Sequence, residues 1–142
     1  MVRRTFPYDS DGVPSLNVRI QAKGRLQVDF AGIVDSGASR TVLSVEDAEM
    51  LGLSKSDLMD NGTVTVADES QVICLTPLIP IRAQVLHEPS PGGDLAPWGP
   101  VFDLDVVFLE HAAPLWGQTD FFQRFKVTFE RYLSPQRFSL SY

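Results

Sequence analysis

Residues 31–44 read AGIVDSGASRTVLS, and this stretch decides the fold. Residues 31–34 are uniformly apolar or small, which suits a strand that enters the interior of a protein. The strand runs directly into Asp35, and an aspartate in that position is costly if it is ionised without support. Ser36 offers a hydroxyl and Gly37 a backbone amide, and both groups can hold a carboxylate. Residues 41–44 read as a short return strand.

Taken alone, the tripeptide Asp-Ser-Gly at 35–37 has a simpler interpretation. An Asx turn that closes a strand uses the same residues and needs no function. A serine nucleophile is improbable in this stretch, because Ser36, Ser39 and Ser44 have no adjacent histidine. The tripeptide is therefore a weak signal, and its meaning depends on the rest of the chain.

A second motif follows about eighty residues further on, where residues 114–122 read PLWGQTDFF. Two hydrophobic residues and a glycine precede a short predicted helix, which Thr119 can cap and which runs to about Phe125. The two motifs, in this order, resemble the active-site loop and the second signature of the retropepsin-like aspartic proteases, the family of the retroviral enzymes. Residues 120–129 are particularly similar to bacterial members. The resemblance covers roughly residues 15–132.

The resemblance implies a mostly β fold, a retropepsin-like acid protease closed β-barrel with one or two short helices. It implies one domain over residues 1–142, with a covering hairpin, or flap, at 64–74. The tip of that hairpin lacks the glycine that is usual there. Residues 88–100 contain seven prolines or glycines and are predicted to be a loop inserted into the domain.

The resemblance also assigns roles to individual residues. Three groups follow from it: catalytic Asp35, Ser36 and Gly37; substrate-binding Ala38, Ala67, Asp68 and Glu69; and Leu115, Trp116 and Gly117, which pass beside the catalytic loop and support it.

The chain carries the Asp-Ser-Gly motif only once, since residues 9–12 have the wrong order. Peptide hydrolysis of this type uses two carboxylates that share one proton, of which one activates a water and the other polarises the scissile carbonyl. If Asp35 is catalytic, its partner must be Asp35 of a second copy related by two-fold symmetry. Residues 2–8 and 138–142 are strand-like and suit such an interface, although packing onto their own sheet is an equally good interpretation.

Length and composition fit one globular domain. The 142 residues are 44% hydrophobic and 21% charged. The net charge of -6 argues against nucleic acid as a partner, because it repels phosphate backbones. No apolar run of about eighteen residues and no secretory signal is visible, so no membrane contact is expected and the cytoplasm is the default location.

Cysteine and histidine give no sign of a cofactor. Cys74 lies in an apolar run and is predicted to be a buried structural thiol. His87 and His111 are too far apart to suggest a metal site, so neither a metal nor a cofactor is expected. Trp98 is predicted to pack on its own domain rather than on substrate.

Alternating and capping patterns outline the remaining elements. Ser44 and Asp47 predict the start of a helix at 45–51, and Gly52 is its stop signal. The predicted strands lie at 16–22, 25–30, 63–67, 71–75, 78–86, 101–109, 126–129 and 137–142.

Three functions are consistent with these features. The resemblance favours a homodimeric aspartic endopeptidase acting on a peptide or protein substrate. The glycine-poor tip motivates an alternative, an inactive descendant that serves as a dimerisation or peptide-binding module. An unrelated β-barrel binding domain would require both motifs to match by chance.

Overall fold

The computed structural model describes residues 1–142 and is mostly β, as predicted. Two short α-helices, α1 (Val45–Met50) and α2 (Phe121–Arg124), and one 3-10 turn (Lys55–Asp57) interrupt the strands. The strands are β1 (Arg3–Pro7), β2 (Ser15–Ala22), β3 (Gln27–Val34), β4 (Thr41–Ser44), β5 (Leu58–Thr65), β6 (Gln71–Pro77), β7 (Ile81–His87), β8 (Ala96–Asp103), β9 (Val106–Leu109), β10 (Leu115–Trp116), β11 (Lys126–Glu130) and β12 (Arg137–Ser141). None of the helices combines the length and apolar character needed to cross a membrane.

The strands form two sheets. Nine of them follow the order β5-β6-β9-β4-β10-β3-β2-β7-β8, and three follow the order β1-β12-β11. The larger sheet ends at β5 on one side and β8 on the other, and these two strands do not pair with each other. Closure into a barrel is therefore not confirmed.

The strand that leads to Asp35 is half-buried rather than wholly interior. In β3, Gly32 and Val34 are buried, whereas Ala31 and Ile33 face outward, and Ile33 is 37% exposed. The prediction from uniform apolarity was wrong here because β3 is covered by the core on one face only. Ile33 consequently lies on the same face as Asp35, since side chains two apart on a strand share a face.

The first helix begins as predicted. The Ser44 side chain accepts from the Asp47 amide, and the Asp47 carboxylate accepts from the Ser44 amide, which completes a capping box. The helix ends at Met50, one residue earlier than predicted, and Gly52 follows with a φ of +79°. That left-handed conformation costs glycine little.

The second helix begins later than predicted. Asp120, not Thr119, is its N-cap, and the helix starts at Phe121. The Thr119 hydroxyl instead donates to the carbonyl of Ser39, at 2.9 Å. The hydroxyl that the local sequence pattern assigns to helix capping is therefore used in a tertiary hydrogen bond.

The proline- and glycine-rich segment is a loop only in its first part. Residues 96–100 belong to β8, so the prediction of a loop over 88–100 was wrong for that half. Prolines are tolerated there because β8 is an edge strand and pairs only with β7. Trp98 on this strand is buried against Phe125 and Tyr142 and belongs to the main core.

The two chain ends pair with each other. Strand β1 runs antiparallel to β12, with Arg3 opposite Ser141 and Pro7 opposite Arg137, and β12 also pairs with β11. Of the two interpretations of the terminal segments, packing onto their own sheet is the one seen within a single chain.

Candidate active site

A two-residue strand brings the two sequence motifs together. Strand β10 lies between β3, to which it is parallel, and β4, to which it is antiparallel. Leu115 is opposite both Ile33 and Val42, and Trp116 is opposite Val34. The amide of Asp35 donates to the carbonyl of Trp116 at 3.0 Å. Asp35 is therefore fixed at the point where β10, which is distant in sequence, meets β3 and β4.

The Asp35 carboxylate is held by its own loop. Its Oδ1 accepts from the amide of Gly37 at 2.8 Å, and the Ala38 amide donates to the Asp35 carbonyl at 3.2 Å. Asp35 is half-buried, and its Oδ2 has no hydrogen-bond partner in the chain. The Ser36 side chain is exposed and makes no hydrogen bond within the chain, so only Gly37 supports the carboxylate here. One carboxylate oxygen is thus positioned and the other is free for a ligand.

Gly117 packs against the back of this loop. Its amide donates to the Oγ1 of Thr41, which is fully buried, at 3.2 Å. A Cβ at Gly117 would lie 2.9 Å from the Ala38 carbonyl oxygen and closer still to that of Arg40. Both neighbours are backbone atoms, which cannot move aside without moving the Asp35 loop. Gly117 is therefore required, because the backbone at Ala38 and Arg40 lies too close to leave room for a side chain.

Residues that follow Gly117 continue the attachment. The Gln118 amide donates to the Ala38 carbonyl at 2.8 Å, and its side-chain Nε2 donates to the Ser36 carbonyl at 2.6 Å. The Thr119 amide donates to the Ser39 carbonyl at 3.0 Å. Three donors of the second motif therefore hold the loop of the first motif through hydrogen bonds to its main-chain carbonyl groups.

Trp116 supports the site from below. It is fully buried, and its Nε1 donates to the carbonyl of Leu16 at 3.0 Å. A Cβ at Gly32 would lie 2.7 Å from Cε2 of the indole, so a larger residue at 32 would displace the ring. The small residue on β3 and the large residue on β10 are thus complementary in shape.

The hairpin of β5 and β6 carries the predicted flap. Its tip is closed by hydrogen bonds between Val66 and Ser70 and from the Glu69 amide to the Val66 carbonyl. Glu69 has a φ of 67°, a left-handed conformation that glycine adopts at lower cost. Hydrogen bonds from the hydroxyl and amide of Ser70 lower the pKa of Asp68. These bonds stay within the tip, and Ala67, Asp68 and Glu69 are exposed at its end.

The predicted flap is attached to the rest of the domain through Glu110. Its carboxylate accepts from the Ile73 amide at 2.8 Å, beside the pairing of β6 with β9. The hairpin contains a bulge between Asp60 and Thr63, with Gly62 at a φ of +80°. The glycine that the tip lacks is therefore found at a bulge in β5 instead.

The contacts of some supporting residues could not be predicted from the local sequence. Thr41, Gln118 and Glu110 act through partners that are 76, 82 and 37 residues away. Ile33 was assigned to the interior by its apolar neighbours, although strict alternation from Phe30 would have placed it outside.

Groups able to bind metals are scattered. No cluster of three or more His, Cys, Asp or Glu side chains has the geometry to hold a metal ion. Cys74 is buried, as predicted, and burial raises the pKa of its thiol.

Comparison with known proteins agrees with this geometry. The sequence model of the aspartyl protease family matches residues 17–86, from β2 through the Asp35 loop and the flap to β7. No curated protein sequence matches the chain. Among 17 matching chains of solved structures is the crystal structure of a retropepsin-like aspartic protease from Rickettsia conorii. It is 20% identical, covers 99% of both chains and has a TM-score of 0.61, which establishes a shared fold.

The fold and the two motifs thus define a retropepsin-like domain. Residues 17–86 of the chain match the aspartyl protease family, and the chain as a whole has the fold of a retropepsin-like aspartic protease.

Proposed function

We propose that the protein is an aspartic endopeptidase that hydrolyses peptide bonds as a homodimer. The observation that carries this proposal is the state of Asp35. Its Oδ1 is held by the Gly37 amide, its backbone is fixed by Trp116, and its Oδ2 is unpartnered. A carboxylate placed in this way by main-chain groups, in a fold of this family, is suited to bind a water and to accept a proton from it.

One carboxylate is not sufficient for this chemistry. In a symmetric pair, the ionised carboxylate takes a proton from the water as the water oxygen bonds to the carbonyl carbon. The protonated carboxylic acid donates a hydrogen bond, and then its proton, to the carbonyl oxygen. Two such groups a few ångströms apart hold one proton between them, because both cannot readily be charged. Each chain supplies one member.

The exposed Ser36 fits a role at the contact between two copies. Its hydroxyl is unpartnered in the chain, whereas its carbonyl is fixed by Gln118. The rigid loop therefore presents a free hydroxyl, which we assign to a hydrogen bond with the corresponding loop of a second copy. The terminal strands, already paired within each chain, would meet those of the second copy as a preformed sheet.

Substrate would lie between the catalytic loop and the flap. We assign Ala38 and the outward-facing Ile33 to the floor beside the scissile bond. Ala67, Asp68 and Glu69 at the flap tip would contact the peptide from above. An extended substrate is expected, because the walls of such a site are strands and loops that offer backbone hydrogen bonds.

A pepstatin-type inhibitor tests this proposal. Its hydroxyl mimics the tetrahedral intermediate, so it should bind between two Asp35 carboxylates and raise the unfolding temperature in a concentration-dependent manner. The Asp35→Asn variant should show no such rise. A wild-type dimer that is not protected by the inhibitor, and that cleaves no unfolded protein, would contradict the proposal.

The left-handed Glu69 at the flap tip favours one alternative function. A strained turn destabilises the hairpin that would cover substrate, and an inactive peptide-binding or dimerisation module would tolerate that. Such a module predicts peptide binding without turnover at any pH from about 3 to 7. Measurable turnover anywhere in that range excludes it.

A further inference from the structure

A cleft lies on the chain apart from the Asp35 loop. Strands β2 and β7 pair only from Val18 and Val85 onward, so their other ends diverge. Strand β1 and the loop after β7 enclose the space between them, a cleft of about 450 Å³. None of residues 33–38 or 115–118 lines it. Its volume falls in the range of small-molecule binding sites.

Two buried nitrogen atoms without partners belong to residues of this cleft. The chain has three buried side-chain polar atoms that make no hydrogen bond, and two of them are Nε of Arg4 and Nδ1 of His87. Both residues line the cleft. An unsatisfied buried donor costs roughly 1–3 kcal/mol, so an acceptor that reached either atom would be favoured.

The charge of Arg4 is uncompensated. None of the ion pairs of the chain includes it. Burial, and secondarily the positive charge of Arg4, lower the pKa of His87, which indicates that the two groups are near each other. A cation and an imidazole, neither with a hydrogen-bond or ion-pair partner within the chain, therefore both line one cleft in a chain whose net charge is -6.

The remaining lining limits the kind of anion that fits. Phe6, Leu16 and Leu86 supply apolar walls. Asp9 and Glu88 are exposed at the cleft, and Asp9 is already engaged by the amides of Asp11 and Val13. These two acids disfavour a dianion such as phosphate. A ligand with a single negative charge and an apolar chain can instead bind the cation and contact the apolar walls.

We propose that this cleft binds a monocarboxylate with a short apolar chain, recognised by Arg4 and His87. The carboxylate would accept hydrogen bonds from the guanidinium and from the imidazole, and the apolar chain would lie on Phe6, Leu16 and Leu86. A free organic acid and the C-terminal carboxylate of a peptide share this chemistry. The proposal does not depend on the peptidase activity.

Titration with hexanoate, followed by NMR, tests the proposal. In the wild-type protein, hexanoate should shift the Arg4 Nε–H and the His87 ring resonances, while hexanol, of the same length, should not. Arg4→Met should weaken hexanoate binding roughly tenfold or more, because it removes a charged hydrogen bond. Arg82→Met is the matched control, since Arg82 is exposed and paired with Asp103, and it should leave the affinity unchanged.

The outcome that overturns the proposal is also specific. Equal hexanoate affinity in wild type and Arg4→Met, or hexanol binding as tight as hexanoate, would show that no carboxylate site exists. Should Arg4→Met fail to fold, the absence of hexanoate-induced shifts at Arg4 and His87 in the wild-type protein would contradict it equally. Comparing the affinity of an acetylated leucyl dipeptide acid with that of hexanoate then identifies the source, because only a site for peptide ends prefers the dipeptide acid over hexanoate.

Discussion

Replacement of Asp35 by asparagine is expected to reduce cleavage of an unfolded protein by at least about a thousandfold. In a homodimer the single substitution removes both carboxylates, so no group remains to accept the proton of the attacking water. Asparagine retains an oxygen that can accept from the Gly37 amide, which holds Asp35 Oδ1 at 2.8 Å. The loop should therefore keep its structure, and the unfolding temperature should change little. The measurements are kcat/KM and a thermal unfolding curve on the same preparations.

Asp60→Asn is a matched control for this substitution. Asp60 precedes a glycine by two residues, as Asp35 does, and its Oδ1 accepts from the Gly62 amide at 2.7 Å. The two substitutions therefore remove the same charge from the same kind of hydrogen bond, a carboxylate that accepts from the amide two residues on, and only Asp35 lies at the junction of the two motifs. Asp60→Asn should leave activity within about twofold of wild type. Activity of Asp35→Asn within tenfold of wild type would remove the catalytic assignment.

Truncation of Trp116 to alanine is expected to lower the free energy of unfolding by about 3–5 kcal/mol. The indole is fully buried and fills the space above Gly32, so its removal leaves a large cavity. The change is a substantial part of the ~5–15 kcal/mol that stabilises an ordinary domain. Urea unfolding measures it. Activity should fall together with stability, because loss of the indole allows β10 to shift and with it the Trp116 carbonyl that accepts from the Asp35 amide.

Two further variants separate the contributions at this position. Trp116→Phe keeps much of the ring but leaves the Leu16 carbonyl without its donor, which should cost about 1–3 kcal/mol. Tyr132→Ala removes an aromatic ring that is 83% exposed, and should change stability by no more than about 0.5 kcal/mol. A loss below about 1 kcal/mol in Trp116→Ala would show that β10 does not hold the site together.

The sequence predicted the centre of the candidate site better than its surroundings. Asp-Ser-Gly at 35–37 and Leu-Trp-Gly at 115–117 were expected to be neighbours, and β10 lies beside β3 as that expectation requires. Local chemistry also predicted the Ser44 capping box, because both of its partners lie within one helical turn. Such features are readable because the residues that make them are close in sequence or belong to a recognisable motif.

Other features depend on contacts that no local pattern encodes. Residues 96–100 form a strand despite their prolines because β8 lies at the sheet edge, and edge position is a property of the whole sheet. Thr119 was predicted to cap a helix, but its hydroxyl donates instead to the carbonyl of Ser39, eighty residues away. The cleft beside Arg4 and His87 arises from the divergence of β2 and β7, which their sequences do not reveal.

The central claim is that two Asp35 carboxylates from two chains act as one site. It is tested most directly by refolding wild-type and Asp35→Asn chains together in varied proportions and measuring cleavage per total protein. If the site is shared, mixed dimers are inactive, and an equal mixture retains about a quarter of the wild-type activity. Retention of about half, in a linear relation to the wild-type fraction, would mean that each chain works alone and would contradict the account.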